Sequence, residues 1–186
     1  MADPLRYPIG PFQWPEKPLT TEQREGLIAQ LAELPVQVRQ AVAQLTEEQL
    51  DRSYRPGGWT ARQVVHHLAD SHLNGYVRFR LALTEEAPLI KTYDQQRWAE
   101  LPDARSAPVS ASIALLEGLH ARWVALLRSL KPEDFQRTFR HPEHGPLTLD
   151  QALALYAWHG RHHVAHLSLV RVQAEGQQTE SQPAGS

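Results

Sequence analysis

The chain has 186 residues, 41% hydrophobic and 22% charged, with a net charge of −2; this is enough apolar material for one core, and it leaves no basic surplus for nucleic acid. With no cysteine, disulfides, thiolate metal sites, Fe–S clusters and Cys nucleophiles are excluded. No apolar run is long enough to span a membrane, and residues 1–8 lack the basic start and apolar core of a signal peptide, so a soluble cytoplasmic protein without nucleic-acid or membrane partners is expected.

Residues 1–18 carry five prolines and scattered apolar side chains (Leu5, Tyr7, Ile9, Phe12, Trp14), which reads as an extended N-terminal arm. A first helix opens at Thr20, with Gln23 in capping-box spacing. It sets Leu27, Leu31, Leu34, Val38, Val42 and Leu45 on one face, with a break or kink at Pro35. A second follows the turn Arg55 to Gly58, capped by Thr60 with Gln63, and runs to about Thr84. Residues 86–108 are long for a bundle connection and read as a crossover or a lid with a short amphipathic piece at 94–100. A third helix starts near Ser110 and presents Ile113, Leu116, Leu119, Trp123, Leu126 and Leu130. Residues 135–147 suggest a hairpin around His144 and Gly145. The fourth helix opens at Thr148 with Gln151 and is expected to stop at Gly176. The fold class that follows is all-α: a four-helix bundle over 19–175, with an arm at 1–18 and a disordered tail at 176–186.

Ten histidines are many for this length, and they cluster, with three in 66–72 and four in 159–166. On a helix, residues i and i+4 lie about 40° apart around the axis and can share one ion. The last helix offers two such pairs, His159/His163 and His162/His166. At roughly 100° per residue, Leu149, Leu153, Tyr156, Gly160, Val164 and Leu167 mark its buried side. His159 and His163 border that side; His162 and His166 lie further round, toward solvent. On the second helix Val64, Leu68, Gly75 and Phe79 mark the buried face. His66 points away from it and His72 lies within it. His67 sits on its flank beside Asp70, Ser71 and Asn74, polar candidates for its second ring nitrogen. The preferred metal ligands are therefore His67, His159 and His163, with His72 a core histidine. His-Glu-x-x-His and Gly-x-Ser-x-Gly are absent. A di-iron bundle needs two Glu-x-x-His units; only Glu117 to His120 provides one, read as helix surface or at most a dimer contact.

The segments Gly57 to His72 and Leu155 to His166, with Tyr76 to Glu86 and Trp98 to Asp103, resemble the DinB/YfiT-like family, its YfiT branch in particular, over about Leu5 to Val172. The resemblance implies a four-helix bundle, a homodimer, and one divalent metal per subunit, zinc or nickel, on His67, His159 and His163. It also implies a metal-dependent hydrolase, with thiol S-transferases that use bacillithiol or mycothiol among the relatives. Three neutral imidazoles leave the ion its full charge and open positions for water or a small-molecule substrate. A hydrolase would use an activated water; a transferase would bind a low-molecular-weight thiol there. A non-catalytic, metal-stabilised dimer would instead call for a fourth protein ligand, such as His72 or Asp70. Asp70, His162 and His166 are the candidates for proton transfer. Tyr93 and Trp98 are read first as aromatic packing under the long connection, and second as a pocket wall.

Overall fold

The computed structural model describes residues 3–180, and side chains as far as Gln173. Four long helices form the bundle: α1 (Thr21–Val42), α3 (Ala61–Thr84), α6 (Val109–Ser129) and α7 (Leu149–Glu180). Short helices α2 (Glu47–Leu50), α4 (Gln95–Ala99) and α5 (Pro102–Ser106) occupy the connections. Strands β1 (Thr138–His141) and β2 (Gly145–Thr148) pair antiparallel, with Phe139 opposite Leu147. The predicted capping boxes form at Thr20/Gln23 and Thr60/Gln63. Thr148 and Gln151 exchange the same pair of bonds at the start of α7. Each satisfies backbone donors that a helix start leaves without partners.

The packed pairs are α1 with α6 and α7, and α3 with α6 and α7. Consecutive long helices α1 and α3 therefore sit diagonally across the bundle, as do α6 and α7. The crossovers fall in the α1–α3 connection, which carries α2, and in the α6–α7 connection, which carries the hairpin. Residues 86–108, expected to be a crossover or a lid, join the neighbours α3 and α6 and so are not a crossover. Their length is used otherwise: α4 and α5 pack along α3. Gly75 permits the close approach of α3 to α7, since a Cβ there would lie 2.5 Å from Tyr156 Cζ. The core has two parts, one around Phe79, Trp123 and Tyr156, the other around Leu34, Val64, Leu68, Leu116 and Leu167.

Two helix boundaries differ from expectation. α1 runs unbroken through Pro35, and α7 continues past Gly176 to Glu180. A glycine costs a helix only about 1 kcal/mol, and no proline follows until Pro183. Of the tail expected to be disordered, 176–180 are thus helical, and 181–186 lie outside the described residues. No helix among the described residues is long and apolar enough to cross a membrane.

Asp150, in the first turn of α7, is buried. It accepts from Arg24 (2.7 and 2.9 Å), Gln136 Nε2 (2.8 Å) and the Leu19 backbone N–H (3.0 Å). Asp150→Ala leaves the buried Arg24 guanidinium without a counter-charge and is expected to cost ~3–5 kcal/mol. Urea unfolding followed by circular dichroism measures it; a loss under about 1 kcal/mol, the scale of an exposed pair, would contradict the assigned role.

Candidate metal centre

His67 on α3 meets His159 and His163, one turn apart on α7, across the packed α3–α7 interface. One ligand atom from each lies within 4.8 Å of the others. His67 Nε2 and His159 Nε2 are 3.1 Å apart. Two lone pairs at that distance repel unless a proton or a cation lies between them. Two nitrogens on one ion at ~2.0–2.1 Å stand ~2.9–3.4 Å apart for right-angled to tetrahedral geometry. The donor set therefore fits a divalent ion, and His67, His159 and His163 could hold it. His67 and His163 are buried and His159 half-buried, and desolvation keeps all three neutral, as ligation requires. Desolvation brings His67 down to about 3, with a contribution from His162. Burial and the neighbouring imidazoles hold His159 and His163 well below the usual histidine value.

The hydrogen bonds behind these rings determine which nitrogen faces the site. A neutral imidazole has one donor and one acceptor nitrogen. His120 Nδ1 lies 2.6 Å from the Leu31 carbonyl, which can only accept, so His120 donates there and its Nε2 accepts. His72 Nδ1, 3.0 Å away, donates to that Nε2. His72 Nε2 then accepts from His159 Nδ1 at 3.3 Å. The chain ends with the lone pair of His159 on Nε2, toward His67. A second chain does the same for His163. His166 Nε2 donates to the Arg6 carbonyl at 3.3 Å, and its Nδ1 accepts from His163 Nδ1 at 3.2 Å. The His163 lone pair is left on Nε2.

The Leu31 carbonyl is available because of Pro35. In an unbroken helix it would accept the N–H of residue 35, which proline lacks. A buried carbonyl without a partner is costly, and His120 supplies the bond. Partners of this kind typically tune metal affinity 10- to 100-fold. Both His72→Leu and Pro35→Ala, the latter restoring a competing backbone N–H, are expected to weaken any ion held by the three histidines by about tenfold or more. Competition against a chromophoric chelator measures this, and an unchanged dissociation constant in both variants would contradict it.

Several histidines lie elsewhere than the helical projections placed them. His162 and His166, expected toward solvent, are buried. The N-terminal arm and the α2–α3 loop cover that side of α7. Tyr7 packs against His162 at 6.0 Å, Phe12 against Trp158 at 5.6 Å, and Tyr54 stacks on His166 at 3.9 Å. The apolar arm thus packs on its own bundle, which removes it as an argument for a dimer. His66, expected to be solvated, is buried, with Ser112 Oγ at 2.7 Å and the Ala107 carbonyl at 3.1 Å. His120, read as helix surface, is buried in the first chain, while Glu117 pairs with Arg39 outside. The signal was present: Leu116, His120, Trp123 and Leu127 follow the stripe spacing of α6. His72 is a core histidine, as expected. Asp70 is not brought to the three histidines. Burial, together with nearby Asp103, pushes its carboxyl up to about 6. Tyr93 packs on Trp98 at 4.4 Å and lines a neighbouring cavity of about 490 Å³ that reaches His159; Trp98 does not line it.

A cavity of about 280 Å³ opens over the three histidines. Trp59 forms part of its wall, 4.6 Å from the His67 ring, and donates from Nε1 to Gln96 Oε1 at 3.1 Å. The arm contributes Arg6 and Tyr7, and the α2–α3 loop Tyr54 and Arg55.

The model of the DinB superfamily matches residues 30–167. The chain belongs to that family. A Bacillus cereus protein named "Putative metal-dependent hydrolase" is 53% identical over 167 residues, 90% of this chain and 95% of the relative. A Bacillus anthracis protein of the same name is 52% identical over the same shares. The solved structure of YfiT from Bacillus subtilis, described as a probable metal-dependent hydrolase with an unusual four-helix bundle topology, superposes with a TM-score of 0.90. It is 49% identical and covers 93% of this chain and 99% of its own. The diagonal steps from α1 to α3 and from α6 to α7 set this DinB-superfamily bundle apart from a simple up-and-down one.

Proposed function

We propose that this chain is a metal-dependent hydrolase holding one divalent ion, zinc or nickel, on His67, His159 and His163. The observation that carries the reading is the pair of histidine chains that leave the lone pairs of His159 and His163 on Nε2, in a cluster where one ligand atom from each lies within 4.8 Å of the others and of His67. A divalent ion there supplies Lewis acidity and a bound water acidified toward neutrality. The protein's own part is to keep three imidazoles neutral and oriented, to shield one side with Trp59, and to leave the other open to the cavity. Three clustered ligands rather than four support a catalytic over a structural ion. His72, the candidate fourth ligand, is engaged on both ring nitrogens by His120 and His159.

The test is turnover of a panel of esters and amides by metal-loaded protein against chelated protein, with and without a low-molecular-weight thiol. Metal-dependent hydrolysis without thiol is the expected result. Turnover only with added thiol, giving a thioether, would assign thiol transfer to the same ligands. Activity that survives verified metal removal would overturn both.

The same reading includes a homodimer, supported by Leu73 and Val77, exposed one turn apart on α3. Light scattering at micromolar concentration is expected to give about twice the 21.1 kDa chain mass; a monomer there would contradict it.

A further inference from the structure

The cavity over the three histidines has an uneven charge lining. It includes the arginines Arg6, from the arm, and Arg55, from the α2–α3 loop, and no aspartate or glutamate. Neither arginine forms an ion pair among the described residues, although seven other pairs are present. Arg6 is tied to this wall through its backbone, whose carbonyl accepts from His166 Nε2 at 3.3 Å. Three buried polar atoms without a hydrogen-bond partner belong to residues of this same lining: Arg55 Nε, Trp158 Nε1 and His162 Nδ1. Buried donors are rarely left unpaired unless a ligand, ion or water completes them.

Arg55 is also held in place before anything binds. Its guanidinium donates to the Pro56 carbonyl at 3.1 Å and lies 5.6 Å from the centre of the Tyr54 ring. Its stem folds back over Gly58, where a Cβ would come within 2.8 Å of Arg55 Cγ and 3.2 Å of Tyr54 Cζ. Any larger residue at 58 would force the Arg55 stem or its surroundings to shift. A fixed guanidinium without a counter-ion, facing a lining free of carboxylates, is the arrangement that recognises an oxyanion with paired N–H bonds.

We propose that this cavity takes a small oxyanion-bearing molecule, a carboxylate or phosphate, with Arg55 and Arg6 as its anchors. The anionic group sits on the arginine side while another part of the same molecule reaches the three histidines. This rests on the proposed hydrolase site and adds the charge class of its substrate. The cavity volume of about 280 Å³ limits the occupant to a small molecule, since drug-sized ligands fill roughly 300–1,000 Å³.

Isothermal titration of metal-loaded, full-length protein with succinate, with inorganic phosphate and with neutral succinamide tests the proposal. Succinate or phosphate is expected to bind and succinamide not, and which of the two binds identifies the anion. Arg55→Gln and Arg6→Gln are each expected to weaken anion binding by about tenfold or more, the scale of one charge-assisted hydrogen bond. Metal content by elemental analysis should stay at the wild-type level. Equal anion affinity in wild type and both variants, or no anion binding by the wild type, would overturn the proposal. The hydrolase reading fails separately: arginine-dependent anion binding by a protein without metal-dependent turnover retains the anion site and rejects the reaction.

Discussion

Replacing His159 or His163 with Ala is expected to strip most of the bound metal from a bundle that stays folded. Each removes one of the three proposed ligands directly, a larger loss than the 10- to 100-fold typical of partners one bond further out. The bundle survives because the direct cost is limited. His159→Ala leaves the His72 Nε2 acceptor without its donor, worth ~1–3 kcal/mol for a buried group, against ~5–15 kcal/mol for a domain. Elemental analysis after gel filtration, with circular dichroism for folding, decides it; near-full occupancy in both variants would reject the ligand assignment. His162→Ala should retain the ion, since its Nδ1 has no partner and the ring belongs to neither chain. His166→Ala should fall between, because it ends the chain that orients His163.

The second large effect is loss of stability in mild acid. His67, His72, His120 and His163 are buried and His159 half-buried, and desolvation is the leading cause that lowers each: His67 to about 3, His120 to about 4, and the other three well below the usual value. A histidine lowered in the folded state binds its proton more readily when unfolded. Its stabilising contribution is therefore complete above the unfolded value near 6.5 and declines as pH falls below it. Each such group costs up to ~1.4 kcal/mol per pH unit in that window. All five act in the same direction, so together they draw on a large part of the ~5–15 kcal/mol that holds a domain folded. Metal-free protein is thus expected to unfold cooperatively between about pH 6.5 and 5. Bound metal, which favours the folded state alone, should move that midpoint to lower pH. Circular dichroism against pH, with and without chelator, measures both. A metal-free protein that stays fully folded at pH 4.5 would show that these imidazoles take up protons without unfolding.

The four long helices were legible because their signals are local. Thr20, Thr60 and Thr148 each precede a glutamine at the spacing that closes a capping box, and the apolar stripes of α1, α3 and α6 repeat with the helix turn. The grouping of His67 with His159 and His163 was legible for a similar reason. The i, i+4 spacing on α7 and one polar-flanked position on α3 are properties of single helices, and the bundle needed only to bring two such faces together.

What lies off those faces was not legible. A projection of α7 shows one apolar stripe and leaves the opposite side as solvent, so His162 and His166 read as exposed. They are buried because the arm and the loop holding Tyr54, segments without helical period, lie over that side. The role of Pro35 likewise needs two helices. Alone it predicts a break in α1; packed against α6, its missing N–H frees the Leu31 carbonyl for His120. By itself the sequence determined the helices, their buried faces and which histidines could share an ion, since each depends on residues a few positions apart. Only the tertiary structure decided the diagonal order of the helices, the covering of α7 by the arm, and the ring nitrogen each histidine turns to the site, because these depend on contacts between segments far apart in the chain.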